Sequence, residues 1–533
     1  MTVILNSVVI HLSAPQSRAL PAARTMPGPE QAPLLADERA SDGTRFGQRH
    51  VLLVVLALCN LCLYLNRANI SVAITFMYRD CGGDAQVCKD ASQQRDCAVS
   101  SHCTWHDQST TRSVVLAAFY WGYLLSQIPA GAWASKVGGK RVLATAVATW
   151  SVATALAAPA YGWLPGLVMT RILVGAAEGA NYPAQVVLNA QWIPRAERSR
   201  AWAFVTSGES IGTILAMLVC PFMAHNLGWT SIFWMSSIVG VVWLLLFFVA
   251  ASATPEEAAT HGGAGSCCGD AFRISPDELH LIASARGELV PPSDVPWRSF
   301  VRNSAFRALI VAHFCYNYGY YVVLSWLPTY FKNMFNADYS SMGVYGMLPY
   351  IGLAVVSNVG GKAADMLLAR GVQLTTVRRI FNTVGFLSPA VCFFCLRFIK
   401  PCANTSCSGF GVAVTLFTVG TSLGGLAFSG YWANFIDLSP RFAGHLMGVS
   451  NSVATIPGIV GNLVTGQILK GHENDWGIVF SLAAAIYVFG AVVFVAFARA
   501  ELQNFDVDES NGTKVQPRSG GVATAAHKEQ GHE

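Results

Sequence analysis

Three charged side chains stand in stretches that are otherwise apolar enough to cross a bilayer. Arg67 lies deep within VLLVVLALCNLCLYLNRANISVAITFMY (51–78), and Arg171 and Glu178 lie in LVMTRILVGAAEGANYPAQVVLNAQWIP (167–194). A permanent cation at such depth costs about 2.5–3.5 kcal/mol on insertion scales unless it faces water or a partner. Arg171 and Glu178 are seven residues apart, so two helical turns put them on one face. Such a set can bind an anion beside a carboxylate that takes up and releases a proton. Burial favours the neutral carboxyl, and a nearby guanidinium favours the carboxylate. An anion competing for Arg171 would therefore change the proton affinity of Glu178. The structural alternatives are an Arg67 that reaches back to a membrane surface and an Arg171–Glu178 ion pair. Gly175, Gly179 and Pro183 flank the pair and suit a mobile, cavity-lining helix. Asn66, Asn69, Glu209, His313, Tyr316, Asn317, Asn434 and Asp437 are further polar groups within apolar stretches. Asp437 is expected as a tether near one mouth, and His313 as either a structural histidine or a proton relay.

The elements that must position these groups are membrane helices. Of 533 residues, 53% are hydrophobic and only 12% charged, about half the charge of a soluble domain. Stretches of about 20 apolar residues recur along the chain. Twelve are expected: 51–78, 113–134, 142–162, 164–189, 201–222, 228–251, 305–328, 343–364, 379–398, 410–436, 443–468 and 477–498. The longest polar gap, 252–304, separates two six-span halves, 50–251 and 305–500, with tails at 1–49 and 501–533. The expected fold class is thus an all-α polytopic membrane protein of twelve transmembrane helices in two six-helix halves. The segments GAWASKVGGKR (131–141) and GGKAADMLLARG (360–371) correspond in the two halves, which implies a repeated six-span unit around a midplane site.

Lys and Arg concentrate in KVGGKR (136–141), PRAERSR (194–200), ARGVQLTTVRR (369–379) and PRFAGH (440–445). The positive-inside rule places these loops, both tails and the linker in the cytosol. The net charge of +5 therefore reads as topology, with no nucleic-acid partner implied. Cys81, Cys88, Cys97 and Cys103 fall in the first non-cytosolic loop, and Cys402 and Cys407 in the fifth. Even counts in an oxidising compartment suggest bridges, with the pairing of the first four left open. Asn404-Thr405-Ser406 is a glycosylation sequon in that fifth loop. The 1–49 tail, rich in Pro, Ala and Arg, is expected to be disordered. Glu30, Leu34 and Leu35 form an acidic dileucine pattern that a sorting adaptor could read as an endolysosomal address. There is no metal-ligand motif, nucleophile elbow or phosphate loop, so neither an enzyme nor a bound cofactor or metal is expected.

NRANISVA (66–73), FYWGYLLSQIPAG (119–131), SKVGGKR (135–141), RILVGAAEGANYPA (171–184), ERSRA (197–201), LSWLPTYF (324–331) and SNSVATIPGIVG (450–461) together resemble the major facilitator superfamily. Within it they resemble the anion:cation symporters of organic anions and phosphate, over roughly residues 50–505. Their lysosomal branch, which exports sialic acid and other acidic sugars with protons, is the most similar. The chain departs from the branch pattern at Val186 and Phe435, where histidines are common. The resemblance implies the major facilitator fold and alternating access. It implies that Arg67 and Arg171 bind the anion, that Glu178 couples the proton, and that Tyr120, Tyr316 and Asn317 line the cavity. The expected function is proton-coupled export of a small organic anion from a lysosomal or endosomal lumen by a monomer. The alternatives are a sodium- or proton-coupled phosphate carrier, including one in a plastid or plasma membrane, and a nutrient-sensing membrane receptor.

Overall fold

The computed structural model describes residues 47–80, 108–194, 197–261, 274–285, 295–439, 442–471 and 475–503. Among them every regular element is a helix. The first half contains α1 (Gln48–Asp80), α2 (Gln108–Val137), α3 (Gly139–Ala160), α4 (Leu164–Glu178), α5 (Asn181–Trp192), α6 (Arg198–Leu227) and α7 (Thr230–Ala250). Three short helices follow: α8 (Pro255–His261), α9 (Pro276–Ala285) and α10 (Trp297–Arg302). The second half contains α11 (Ser304–Phe335), α12 (Tyr339–Ala369), α13 (Leu374–Leu396), α14 (Ser408–Gly424), α15 (Tyr431–Leu438), α16 (Ala443–Gly471) and α17 (Trp476–Phe497).

Ten segments are long and apolar enough to span a bilayer, counting Ser408–Leu438 as one. Two more complete a set of twelve. Leu164–Trp192 is interrupted, and Ser304–Phe335 has the length but carries five tyrosines, His313 and Asn317. The interruption has a local cause. Pro183 lacks an N–H, and its ring would collide with the carbonyl four residues back, at Gly179. The helix therefore stops at Glu178 and restarts at Asn181, where an early proline is tolerated. The span read as continuous over 410–436 is also broken, by a 3-10 turn at Gly425–Ser429 between α14 and α15. The two broken helices occupy corresponding places in the two halves.

Packing repeats between the halves. α1 lies along α6, α2 along α4, and α3 along α7. α11, α12 and α13 pair in the same sense with α16, α14 and α17. Small residues permit these approaches. A Cβ on Gly175 would strike the Phe119 carbonyl of α2, and one on Gly208 the Ala57 carbonyl of α1. The turns that precede α3 and α13 each hold a glycine with positive φ, Gly138 at 96° and Gly371 at 83°.

The halves meet through α1–α11, α2–α16 and α6–α12. Between α2 and α16, on the basic side of their middles, Gln127 donates to Thr455 (3.0 Å) and accepts from Asn451 (2.8 Å). Toward the end away from the basic loops, Thr75 meets Thr329 at 3.2 Å, and Tyr339 stacks on Phe76 at 4.5 Å and lies 4.8 Å from the His225 ring. At the basic end, a Cβ on Gly361, Gly444 or Gly448 would meet open space. Here the Glu278 carboxylate of α9 accepts from the backbone of Gln48 (2.9 Å) and Arg49 (3.1 Å), capping α1. Asp437 is tied to Arg378 at 2.7 Å, as its place near a mouth suggested. At the opposite end Cys402 and Cys407 form a disulfide. Asn404, in the same loop, is exposed.

Candidate functional site

Arg67 and Glu178 meet in the interior of the first half. The Arg67 Nε and Nη2 both lie 3.2 Å from Glu178 Oε2. The other carboxylate oxygen, Oε1, accepts from the Asn66 amide at 3.0 Å. Glu178 is fully buried and Arg67 only 6% exposed. Three rings box the guanidinium: Tyr64 at 4.8 Å, Tyr123 at 4.9 Å and Phe119 at 5.0 Å. Helical spacing explains the box. Tyr64 is one turn below Arg67 on α1, and Phe119 and Tyr123 are one turn apart on α2. Such a contact contributes about 0.5–1 kcal/mol at an exposed site and about 2 kcal/mol when desolvated.

Arg171 approaches the same Phe119 ring, at 5.6 Å. It is 1% exposed, and its Nε and Nη1 have no hydrogen-bond partner. A buried charged donor without an acceptor is costly. Two guanidiniums thus converge on one aromatic ring, one neutralised by a carboxylate and the other lacking an anion.

Several sequence expectations change in detail. Glu178 was read as a possible pair for Arg171, on the same helix face, but its partner is Arg67 from α1. Glu178 is the last residue of α4 before the break, where α1 crosses, while Arg171 is two turns away, about 10 Å along the axis. Tyr120 sits at the junction of the halves, 4.7 Å from the Tyr321 ring and against Gly458 of α16. Tyr316 lies inside the second half among Phe386, Phe428, Tyr431 and Tyr487. It connects to Tyr120 through Tyr320 and Tyr321. Asn317 donates to the Ala454 carbonyl at 2.9 Å, which ties α11 to α16. His313 contacts Ser450 at 3.0 Å and is packed by Tyr431 and Trp432. Glu209 accepts from Tyr182 at 2.8 Å. Glu30, Leu34, Leu35, Cys81, Cys88, Cys97 and Cys103 lie outside the described residues. Sequence reasoning missed Tyr64, Phe119 and Tyr123. The signal was the aromatic spacing in FYWGY, which has a meaning only once Arg67 is known to face it.

Comparisons with known proteins bear on the family and the fold. The model of the Major Facilitator Superfamily matches residues 56–462. Sheep sialin is 33% identical over 466 residues, which cover 84% of this chain and 89% of sialin. The Arabidopsis thaliana protein named sodium-dependent phosphate transport protein 1, chloroplastic, is 32% identical over 458 residues, 86% of this chain and 80% of that one. Among solved structures, a D-xylose–proton symporter superposes with a TM-score of 0.60 at 14% identity, covering 84% of this chain and 98% of that one. A bacterial homologue of the human lysosomal transporter Spinster, inward-facing and occupied, does so with a TM-score of 0.60 at 15% identity, covering 86% and 98%. The chain is a multi-pass membrane transporter with the major facilitator fold, not an enzyme. It belongs to the Major Facilitator Superfamily, and within it to the anion transporters that include sialin and chloroplast phosphate and anion carriers.

Proposed function

We propose that this transporter exports a small organic anion, such as sialic acid or a related acidic sugar, from an acidic lysosomal lumen together with a proton. The observation that carries the reading is the unpartnered Arg171 guanidinium beside an Arg67–Glu178 pair. A lumenal proton on Glu178 neutralises its carboxylate and releases Arg67. Arg67 and Arg171 then hold the substrate carboxylate, with geometry suited to charge-assisted hydrogen bonds. Tyr120 shapes the site at the junction of the halves, and Tyr316 and Asn317 belong to the opposing wall. At neutral cytosolic pH, Glu178 loses its proton, reclaims Arg67 and expels the anion. The basic end is the cytosolic one by the positive-inside rule, so the contacts of Thr75 with Thr329 and of Phe76 with Tyr339 across the far end fit a cytosol-facing state. The Cys402–Cys407 bridge and the exposed Asn404 sequon fit a lumenal loop. The Glu30-Leu34-Leu35 signal would bring a sorting adaptor to a monomer.

A second reading is a sodium-coupled phosphate carrier. Guanidiniums suit phosphate as well as carboxylate, and a relative of similar identity carries that name. Purified protein in liposomes separates the two. Labelled sialic acid, glucuronate, glutamate and phosphate are offered under imposed proton or sodium gradients. Uphill accumulation of an acidic sugar driven by protons supports export. Accumulation of phosphate driven by sodium at fixed pH selects the second reading. Binding without turnover would mean a receptor.

A further inference from the structure

We infer that Asn66 is a positioning residue that directs the coupling proton to the one oxygen of Glu178 that holds Arg67. The inference rests on the proton-coupling reading of Glu178. Its basis is a fully buried hydrogen-bond chain that holds the Asn66 amide with its nitrogen toward Glu178. Asn66 Oδ1 accepts twice, from Thr154 Oγ1 at 2.9 Å and from Asn69 Nδ2 at 3.2 Å. Asn69 is itself anchored to Ser236 Oγ at 2.9 Å. With the amide oxygen accepting from α3 and from its own helix, the amide nitrogen faces Glu178 Oε1, to which it donates at 3.0 Å.

The consequence concerns where a proton can sit. An amide nitrogen only donates, so Oε1 has to remain an acceptor. A neutral carboxyl group then carries its hydroxyl on Oε2. That oxygen faces Arg67 Nε and Nη2, both also donors, at 3.2 Å. A proton arriving from water on Oε2 cancels the charge there and leaves a hydroxyl oxygen, a weaker acceptor than a carboxylate. The Nε hydrogen bond and the Nη2 ion-pair contact loosen as the O–H bond forms, and its departure restores them. Protonation and release of the arginine become one event. Without Asn66 the proton could settle on Oε1, leaving Oε2 as a carbonyl acceptor that keeps Arg67 in place.

The charged and titratable groups facing this carboxylate are few. Arg67 comes from α1, Tyr120 and Tyr123 from α2, and Arg171 from its own helix. Cys59 lies further along α1, and Glu209 of α6 is engaged with Tyr182. None of these groups takes over the Asn66 contact to Oε1.

The test needs no substrate. Infrared difference spectra of the purified full-length protein are recorded as pH is stepped over roughly pH 4 to 8, with isotope-labelled arginine to mark guanidinium bands. In the native protein, a carboxyl C=O band absent from Glu178→Gln should rise with the same midpoint as a shift of an arginine band absent from Arg67→Lys. Asn66→Leu should abolish the accompanying arginine shift and move the carboxyl band to lower wavenumber, since its carbonyl, now Oε2, accepts from the Arg67 guanidinium instead of from an amide. Thr154→Val keeps the amide but frees its orientation, and should lose about half of that shift. An Asn66→Leu protein whose carboxyl and arginine bands still move together would overturn the inference. So would an unchanged carboxyl frequency. If Asn66→Leu does not fold, Thr154→Val decides alone, and full retention of the shift counts against the proposal. A native protein with no band dependent on Glu178 refutes the proton-coupling reading first, and the role of Asn66 with it.

Discussion

The two halves share a helix pattern but differ in what they bury. Among the described residues, the buried Arg and Glu side chains are Arg49, Arg67, Arg112, Arg171 and Glu178, all in the first half. The second half buries neutral polar groups, including His313, Asn317, Asn382, Asn434 and Asn462, within a dense aromatic core. Its ion pair, Arg378–Asp437, stays at the basic end. The same packing scheme thus supports a charged interior and a neutral one. A charge moved through a low-dielectric interior is expensive, so the division lets one half hold the ionic chemistry in fixed geometry. The other can rock against it while its interior exchanges only apolar and hydrogen-bonding contacts.

The sharpest way to break this contrast is to remove the open cation. Arg171→Ala should lower anion transport in liposomes by roughly 100-fold, since truncating one partner of a buried charged contact costs about 2–5 kcal/mol. His313→Gln, the matching change to a buried group of the second half, should leave transport within about threefold, because it removes no charge from the anion's path. Similar losses in both variants would erase the distinction. Next is Glu178→Gln. It keeps the shape of the side chain and its contact to Asn66 but cannot cycle a proton. Accumulation driven by a proton gradient should vanish, while exchange of labelled for unlabelled anion at uniform pH persists. Gradient-driven uphill accumulation by this variant would remove Glu178 from its role.

A smaller effect is expected where the halves touch. Tyr120 meets Tyr321 and Gly458 across the junction. Tyr120→Ala removes an aromatic pair worth about 0.5–1.5 kcal/mol, so transport should fall about three- to tenfold, mostly through a slower conformational step. Rates measured with anion held inside and outside at saturation report that step. A pure loss of apparent affinity would instead place Tyr120 in direct contact with the anion.

The two interiors were also unequally legible in the sequence. The helices follow from apolar length, and Arg67, Arg171 and Glu178 announce themselves as charges in apolar stretches. Their pairing does not follow, because it depends on how α1 crosses α4, and spacing along one helix reports only that helix. Hence Arg171 stood as the natural neighbour of Glu178 when Arg67 is its partner. The breaks at Gly179 and at Gly425–Ser429 were hidden inside apolar runs that read as continuous. Pro183 signalled the first. The second lies in a glycine-rich run that composition alone does not separate from a packed helix. In the second half, Asn317 is expected by resemblance to line the cavity, and its amide nitrogen also donates to the Ala454 carbonyl. Polar residues in a neutral interior can serve backbone or ligand, and only coordinates tell which.

The mildest expected effect lies far from both interiors. The Cys402–Cys407 disulfide closes a short loop between α13 and α14, and the Cys402 amide donates to the Met334 carbonyl at the end of α11 at 2.7 Å. Closing so small a loop contributes about 2 kcal/mol by chain entropy. The loop touches neither guanidinium. Cys402→Ser should therefore lower the thermal transition of the detergent-purified protein by a few degrees, while initial rates of anion uptake stay within about twofold of native. A large fall in rate with an unchanged transition would mean that the loop takes part in opening the far end. The contacts of Thr75, Thr329 and Tyr339 would then no longer account for that closure alone.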